Sequence, residues 1–157
     1  MNNFSFILTS FFVATILTFL YLPLGLMWLG PFWLVLVLLH WVLVAPQYIN
    51  VGFAFFTGLF LDIIYNTHIG VHALALVFVV FLLARFGGKI KLFSVWKKFI
   101  VICILMIVYQ LILSLIQTCW AGGYFNFYYS LLGAFVSSLL WFPLYFLLYK
   151  RKIQLSF

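Results

Sequence analysis

Val51-Gly-Phe-Ala-Phe-Phe-Thr-Gly-Leu-Phe-Leu-Asp-Ile-Ile-Tyr65 is an apolar run interrupted by one carboxylate. That carboxylate, Asp62, is the only acidic side chain among 157 residues. A charge at the centre of a membrane helix costs roughly 2.5–3.5 kcal/mol on insertion scales. A lone charge in such a run therefore needs a structural partner or a task. Whether its surroundings are membrane is decided by the rest of the chain.

The chain is 69% hydrophobic and 6% charged, with a mean hydropathy of +1.33. A water-soluble domain of this size leaves too much of its surface exposed to hide so many apolar side chains. The solvent is lipid, and the expected fold is an all-α integral membrane bundle. A spanning helix takes ~20 apolar residues, so about six spans use roughly 120 positions and leave only short loops and tails. A single polytopic domain over residues 1–157 follows, with no room for a soluble catalytic or nucleic-acid-binding domain.

Apolar runs separated by breaks place spans near 4–22, 28–45, 50–65, 71–86, 98–120 and 128–149. Pro23 and Gly25 break the first, which lacks the charged leader and cleavage pattern of a signal peptide and is expected to be retained. Pro31 suits the start of the second and Pro46 its end. Asn66-Thr-His-Ile-Gly70 separates the third from the fourth, Gly87-Gly-Lys-Ile-Lys91 reads as a loop after the fourth, and Pro143 suggests a kink in the sixth. The third span is short, which implies tilt, local thinning or shielding by neighbours.

The net charge of +7 is gathered in two places, Arg85, Lys89, Lys91, Lys97 and Lys98, then Lys150, Arg151 and Lys152. Both groups flank apolar runs, as cytoplasmic anchors do, and the second can also meet anionic lipid headgroups. Nucleic acid is not an expected partner. Two spans separate the groups, so they fall on one side of the membrane. Counting back puts both termini in the cytoplasm and the loops near 23–30, 66–70 and 121–127 outside. Cys103 and Cys119 lie sixteen positions apart on one helix, about 24 Å, too far for a disulfide. No metal-ligand spacing or cofactor motif is present.

Asp62 lies four residues before the outer end of its span, ~6 Å at helical rise, so it sits in the outer third of the membrane. The following span returns antiparallel and brings His72 to the same depth, with Asn66, Thr67 and His68 close by. An Asp62–His72 contact is expected, with His68 as the alternative partner; a carboxylate that caps local backbone or holds a water is an equally weighted reading. His40, mid-span beside Trp41, reads as a buried histidine bonded across helices. Gln110, Ser114 and Gln117 form a polar stripe on the fifth span, read first as interhelical glue. Small residues recur at close-packing intervals: Ser10, Ala14 and Thr18 on the first span, Ala54 and Gly58 on the third, and Ser130, Gly133 or Ala134, and Ser137 on the sixth. Internal packing is the principal reading of these stripes; docking of a partner's membrane helix on the first or sixth is the sharper one.

Residues 31–46, then Asn50-Val-Gly52, Gly58-Leu-Phe-Leu-Asp62 and Gly70-Val-His-Ala-Leu74, resemble the MreD family of rod-shape-determining proteins. Gly-x-x-x-Asp followed by Gly-x-x-x-Leu is the core of the likeness, which is most specific over 31–74. The resemblance places Gly58, Asp62 and Gly70 on motif positions, without a catalytic role. It implies a bacterial inner-membrane subunit of the elongation machinery, a fold similar to the substrate-binding subunits of energy-coupling-factor transporters, and a MreC-like bitopic scaffold as partner. Through that scaffold it implies indirect association with MreB, RodA and an elongation penicillin-binding protein.

Three functions follow in order of expectation. A non-enzymatic scaffold fits the small-residue stripes and the scarcity of reactive groups. A solute-binding or transport subunit would need a wet polar site, for which Asp62, Asn66, His68, His72 and Gln110 are the available residues. A membrane enzyme is not expected, because one carboxylate leaves no acid–base pair.

Overall fold

The computed structural model describes residues 3–21, 32–121, 132–141, 143 and 145. The expected breaks at Pro23, Gly25 and Pro31, most of the turn near 121–127, Ser130 and the C-terminal basic group lie outside these residues. Six helices are described: α1 Asn3–Tyr21, α2 Trp33–Val44, α3 Val51–Ile64, α4 Val71–Lys91, α5 Val95–Ala121 and α6 Leu132–Trp141. Of these, α4 and α5 are long and apolar enough to cross a membrane.

The bundle is organised around α2. Every residue from Leu34 to Leu43 is buried. A helix that is apolar on all sides has no solvent face and belongs inside. Around it, α1 and α4 pack directly, α3 lies on α4, and α5 lies on the other flank of α4. From α6, the Ser137 hydroxyl accepts the Phe32 N–H at 3.1 Å, so α6 satisfies an amide at the start of α2 that helical bonding leaves open.

Among the described residues, large apolar side chains lie on the outer surface as well as inside. Phe12 on α1, Phe56 and Ile63 on α3, Leu115 on α5 and Phe135 on α6 are all exposed. In water this belt would far exceed the few hundred Å² of contiguous apolar surface that soluble monomers show; in lipid it is the ordinary exterior.

The small-residue stripes of α1 and α6 turn inward. Ala14 and Thr18 are buried, as are Ala134 and Ser137, and Gly133 is buried beside them. Ser10, half-buried, accepts the Trp41 indole N–H at 2.8 Å. These side chains pack against the bundle's own helices.

Two sequence readings need correction here. The Gly87–Lys91 stretch is not a loop: α4 runs through it, and α5 begins at Val95 rather than 98. Glycine costs a helix only about 1 kcal/mol, and the buried stripe Val79, Val80, Leu83, Gly87, Ile90 keeps helical spacing across the pair. Burial of Ile90 holds the last turn in place. On α5, Ser114 donates to its own helix at Leu111 O, 2.7 Å, and Gln117 is exposed, so the polar stripe is not a continuous interhelical seam.

Candidate functional site

The α3–α4 hairpin is built by a helix end, a tight turn and a helix start that all depend on Asp62. At the end of α3, Asn66 adopts a left-handed conformation with φ 50°. Its N–H reaches Ile63 O at 3.3 Å, and Thr67 N–H reaches Asp62 O at 3.0 Å. This pair of bonds around a left-handed residue is a Schellman closure, which satisfies carbonyls the helix leaves open. Asp62 thus contributes its main chain to finishing α3.

Its side chain starts α4. The residue at the N-cap position is Gly70, which has no side chain with which to cap. Asp62 supplies the missing acceptor from the neighbouring helix. Gly70 N–H donates to Oδ2 at 2.7 Å, and His72 N–H donates to Oδ1 at 2.8 Å. A carboxylate at a helix N-terminus also lies at the positive end of the helix dipole. Gly70 has φ 104°, a conformation that a Cβ makes costly. Gly70→Ala is expected to lower stability by about 1–2 kcal/mol, read as a lower unfolding temperature in detergent; no contact is lost, because a Cβ there meets nothing within 4 Å.

Two side chains complete the clamp. His72 Nδ1 lies 2.8 Å from Oδ1, and since a carboxylate only accepts, Nδ1 carries the hydrogen. Thr67 Oγ1–H donates to the same oxygen at 3.0 Å and lies 3.2 Å from His72 Nδ1. The carboxylate therefore accepts four hydrogen bonds, three on Oδ1 and one on Oδ2. Asp62 is 1% exposed. Its charge is neutralised in place by backbone dipoles, a hydroxyl and an imidazole, all from its own hairpin.

Around this core, the Tyr65 ring stacks on His72 with centroids 5.4 Å apart and 15° between planes. Tyr109 from α5 approaches His72 at 6.4 Å, and Phe32 at the head of α2 meets both tyrosines, at 6.3 Å and 5.7 Å. The hairpin is thereby keyed to the rest of the bundle by aromatic packing. Tyr109 is buried and its hydroxyl has no hydrogen-bond partner. The sequence reading passed over it; a tyrosine far from either end of a span was the available signal.

The remaining expected site residues do not converge on Asp62. His68 and Asn66 are exposed in the turn, and His68 contributes its carbonyl to Val71 N–H at 3.2 Å. His40 is buried and edge-on to Trp41 and Tyr145, at 5.8 Å and 5.9 Å. Gln110 is half-buried on α5, with a buried Oε1 that has no partner. Gly58 lies within the hairpin at its closest approach: a Cβ on it would stand 2.3 Å from Ala73 Cα and 2.6 Å from Ala73 N. An apolar groove of about 400 Å³ runs between α1 and α6 over α2, with Val13, Ala14, Trp33 and Leu140 among its lining residues.

The residues of this clamp, Gly58, Asp62, Gly70 and His72, all fall within the match to a family model described as rod shape-determining protein MreD, which covers residues 1–151. The chain belongs to the MreD family. The Rod shape-determining protein MreD of Haemophilus influenzae (strain ATCC 51907 / DSM 11121 / KW20 / Rd) is 35% identical over 152 residues, which are 95% of this chain and 93% of that protein. No solved structure matches the chain. Membership of the MreD family identifies a shape-determining membrane protein, and the exposed apolar belt of the bundle agrees with that setting.

Proposed function

We propose that this MreD-family chain is a non-enzymatic subunit of the bacterial elongation machinery in the inner membrane. It binds a MreC-like bitopic scaffold and, through it, helps organise peptidoglycan synthesis with MreB, RodA and an elongation penicillin-binding protein. The proposal includes six spans, both termini in the cytoplasm and the α3–α4 turn outside. It also includes a helix arrangement like that of the substrate-binding subunits of energy-coupling-factor transporters.

The observation that carries the scaffold reading is the burial of Asp62 with all four of its hydrogen bonds made inside its own hairpin. A solute or ion site needs a carboxylate with free acceptor capacity facing water. This one is 1% exposed and takes three hydrogen bonds on Oδ1 and one on Oδ2 from its own hairpin. The groove between α1 and α6 is apolar and offers a polar solute little to bind. A lipid-facing bundle with its lone carboxylate sealed is suited to holding a partner in register.

Depletion in a rod-shaped cell, combined with co-purification of the full chain, tests this directly. The expected outcome is rounding of the cells and recovery of a MreC-like protein with the chain. Rods that persist through depletion, with no such partner recovered, contradict it.

A further inference from the structure

Five cations crowd the end of the bundle opposite Asp62, of which Lys98 is half-buried. Arg85, Lys89 and Lys91 are exposed on the last turns of α4, and Lys97 is exposed on the first turn of α5. The connection between the helices is only Leu92–Ser94. Lys97 Nζ sits 5.9 Å from the Phe93 ring centre, which ties the α5 cation to that tip. The chain's only side-chain carboxylate is Asp62. It is buried at the other end of α4, about 20 Å from Arg85 at helical rise. No carboxylate side chain of this protein therefore pairs with the cations of this hairpin tip.

Gly87 and Gly88 sit among these cations. Both are within α4, where each costs the helix about 1 kcal/mol relative to alanine. Neither has a positive φ, and a Cβ on either would meet nothing within 4 Å. Neither backbone strain nor a neighbouring element requires a glycine there. At Gly88, which is exposed, the bare backbone opens the helix surface between Arg85 and Lys91, which lie three residues before and after it on one face.

We propose that the α4–α5 hairpin tip is a seat for the phosphodiester headgroup of an anionic phospholipid, held by Arg85 and Lys91 against the bare helix surface at Gly88, with Lys89 and Lys97 adding to the positive field of the tip. Arginine and lysine bind phosphate oxygens through charge-assisted hydrogen bonds. The apolar surroundings favour a lipid over an acidic protein segment. Phe86, Leu92 and Trp96 are exposed beside the cations, so the tip has the mixed aromatic, aliphatic and basic surface of a headgroup–acyl boundary. The length of α4, ~31 Å over its 21 residues, sets its basic end at one face of a hydrocarbon core ~30 Å thick. This inference requires only a membrane setting and stands apart from the choice of protein partner.

Native mass spectrometry of the full chain in neutral detergent, supplied with phosphatidylglycerol or phosphatidylcholine, is the test. The wild type is expected to retain phosphatidylglycerol preferentially. Arg85→Gln, Lys89→Gln, Lys91→Gln and Lys97→Gln should each lower that retention about fivefold, in line with the worth of one basic residue at an anionic surface. Gly88→Leu should lower it several-fold while leaving the unfolding temperature equal or higher, because leucine is the better helix former and has open space. Because the substitutions are single and exposed, an unchanged unfolding temperature separates lipid loss from misfolding. Equal retention of the two lipids by the wild type, or unchanged phosphatidylglycerol preference in all four glutamine variants, overturns the proposal. Unchanged retention in Gly88→Leu overturns the seat at Gly88. Soluble poly-glutamate displacing phosphatidylglycerol from the wild type would assign the tip to an acidic protein instead.

Discussion

Asp62→Ala is expected to abolish accumulation of the folded chain in the membrane. The substitution removes the acceptor shared by four donors: Gly70 N–H and His72 N–H lose their partner, while His72 Nδ1–H and Thr67 Oγ1–H are left with the weaker Thr67 Oγ1 and Asp62 O, at 3.2 Å and 3.5 Å. Each buried unsatisfied group costs about 1–3 kcal/mol, and breaking a buried charged contact typically costs 3–5. The His72 amide and ring are buried, so water does not readily replace the acceptor they lose. Asp62→Asn is milder and more informative. The amide oxygen can keep the place of Oδ1, where three donors converge. The amide nitrogen then faces Gly70 N–H, donor against donor, at a cost of about 2–3 kcal/mol. Thermal unfolding in detergent should rank wild type above Asn above Ala. Hydrogen exchange should accelerate first at the Gly70 and His72 amides. Equal unfolding temperatures for wild type and Asp62→Ala would show that the clamp holds nothing.

The second large effect is expected at Gly58. A methyl group there would stand 2.3 Å from Ala73 Cα and 2.6 Å from Ala73 N. Both are main-chain atoms, so no rotamer change relieves the clash and the two helices must separate. Overpacking a core costs typically 1–3 kcal/mol, and a backbone clash belongs at or above the top of that range. Gly58→Ala should therefore lower the unfolding temperature strongly, and Gly58→Leu should prevent assembly. Ala73→Gly should not rescue Gly58→Ala, since the Ala73 methyl, 3.0 Å away, is the least of the three contacts. Recovery in that double variant would place the conflict in the side chain and contradict the close backbone approach. Parting α3 from α4 also moves Asp62 away from the α4 N-terminus, so the two substitutions act on one unit and their effects should not add.

The α3–α4 hairpin was the most legible part of the chain. Its signals are local: a lone acid, a glycine four residues earlier, a turn, and a histidine at the start of the returning helix. The sequence left two roles for Asp62 open, contact with His72 or capping of backbone. The geometry joins them, because a carboxylate has acceptor sites for both and Gly70 cannot cap its own helix. Thr67 and the stacking of Tyr65 depend on the exact turn, which residue types alone do not specify. The centrality of α2 was less legible. Its all-round apolarity fits equally a helix in lipid and one inside a bundle, and only packing distinguishes them. The continuation of α4 through Gly87 and Gly88 was misread because paired glycines next to lysines resemble a loop. The burial of Ile90, a tertiary fact, decides otherwise. The inward facing of the α1 and α6 stripes, and the service of Ser137 to the start of α2, likewise depend on which helices are neighbours.

The central claim is that Asp62 acts by holding the hairpin and not by handling a proton, ion or solute. Rod-shape complementation by Asp62→Asn, scored against the amount of folded chain in the membrane, tests it most directly. The account predicts that when expression is raised until folded protein matches the wild-type level, the cells return to rods. Cells that stay round with a full complement of folded Asp62→Asn protein would contradict it, and would assign the carboxylate a role beyond the fold.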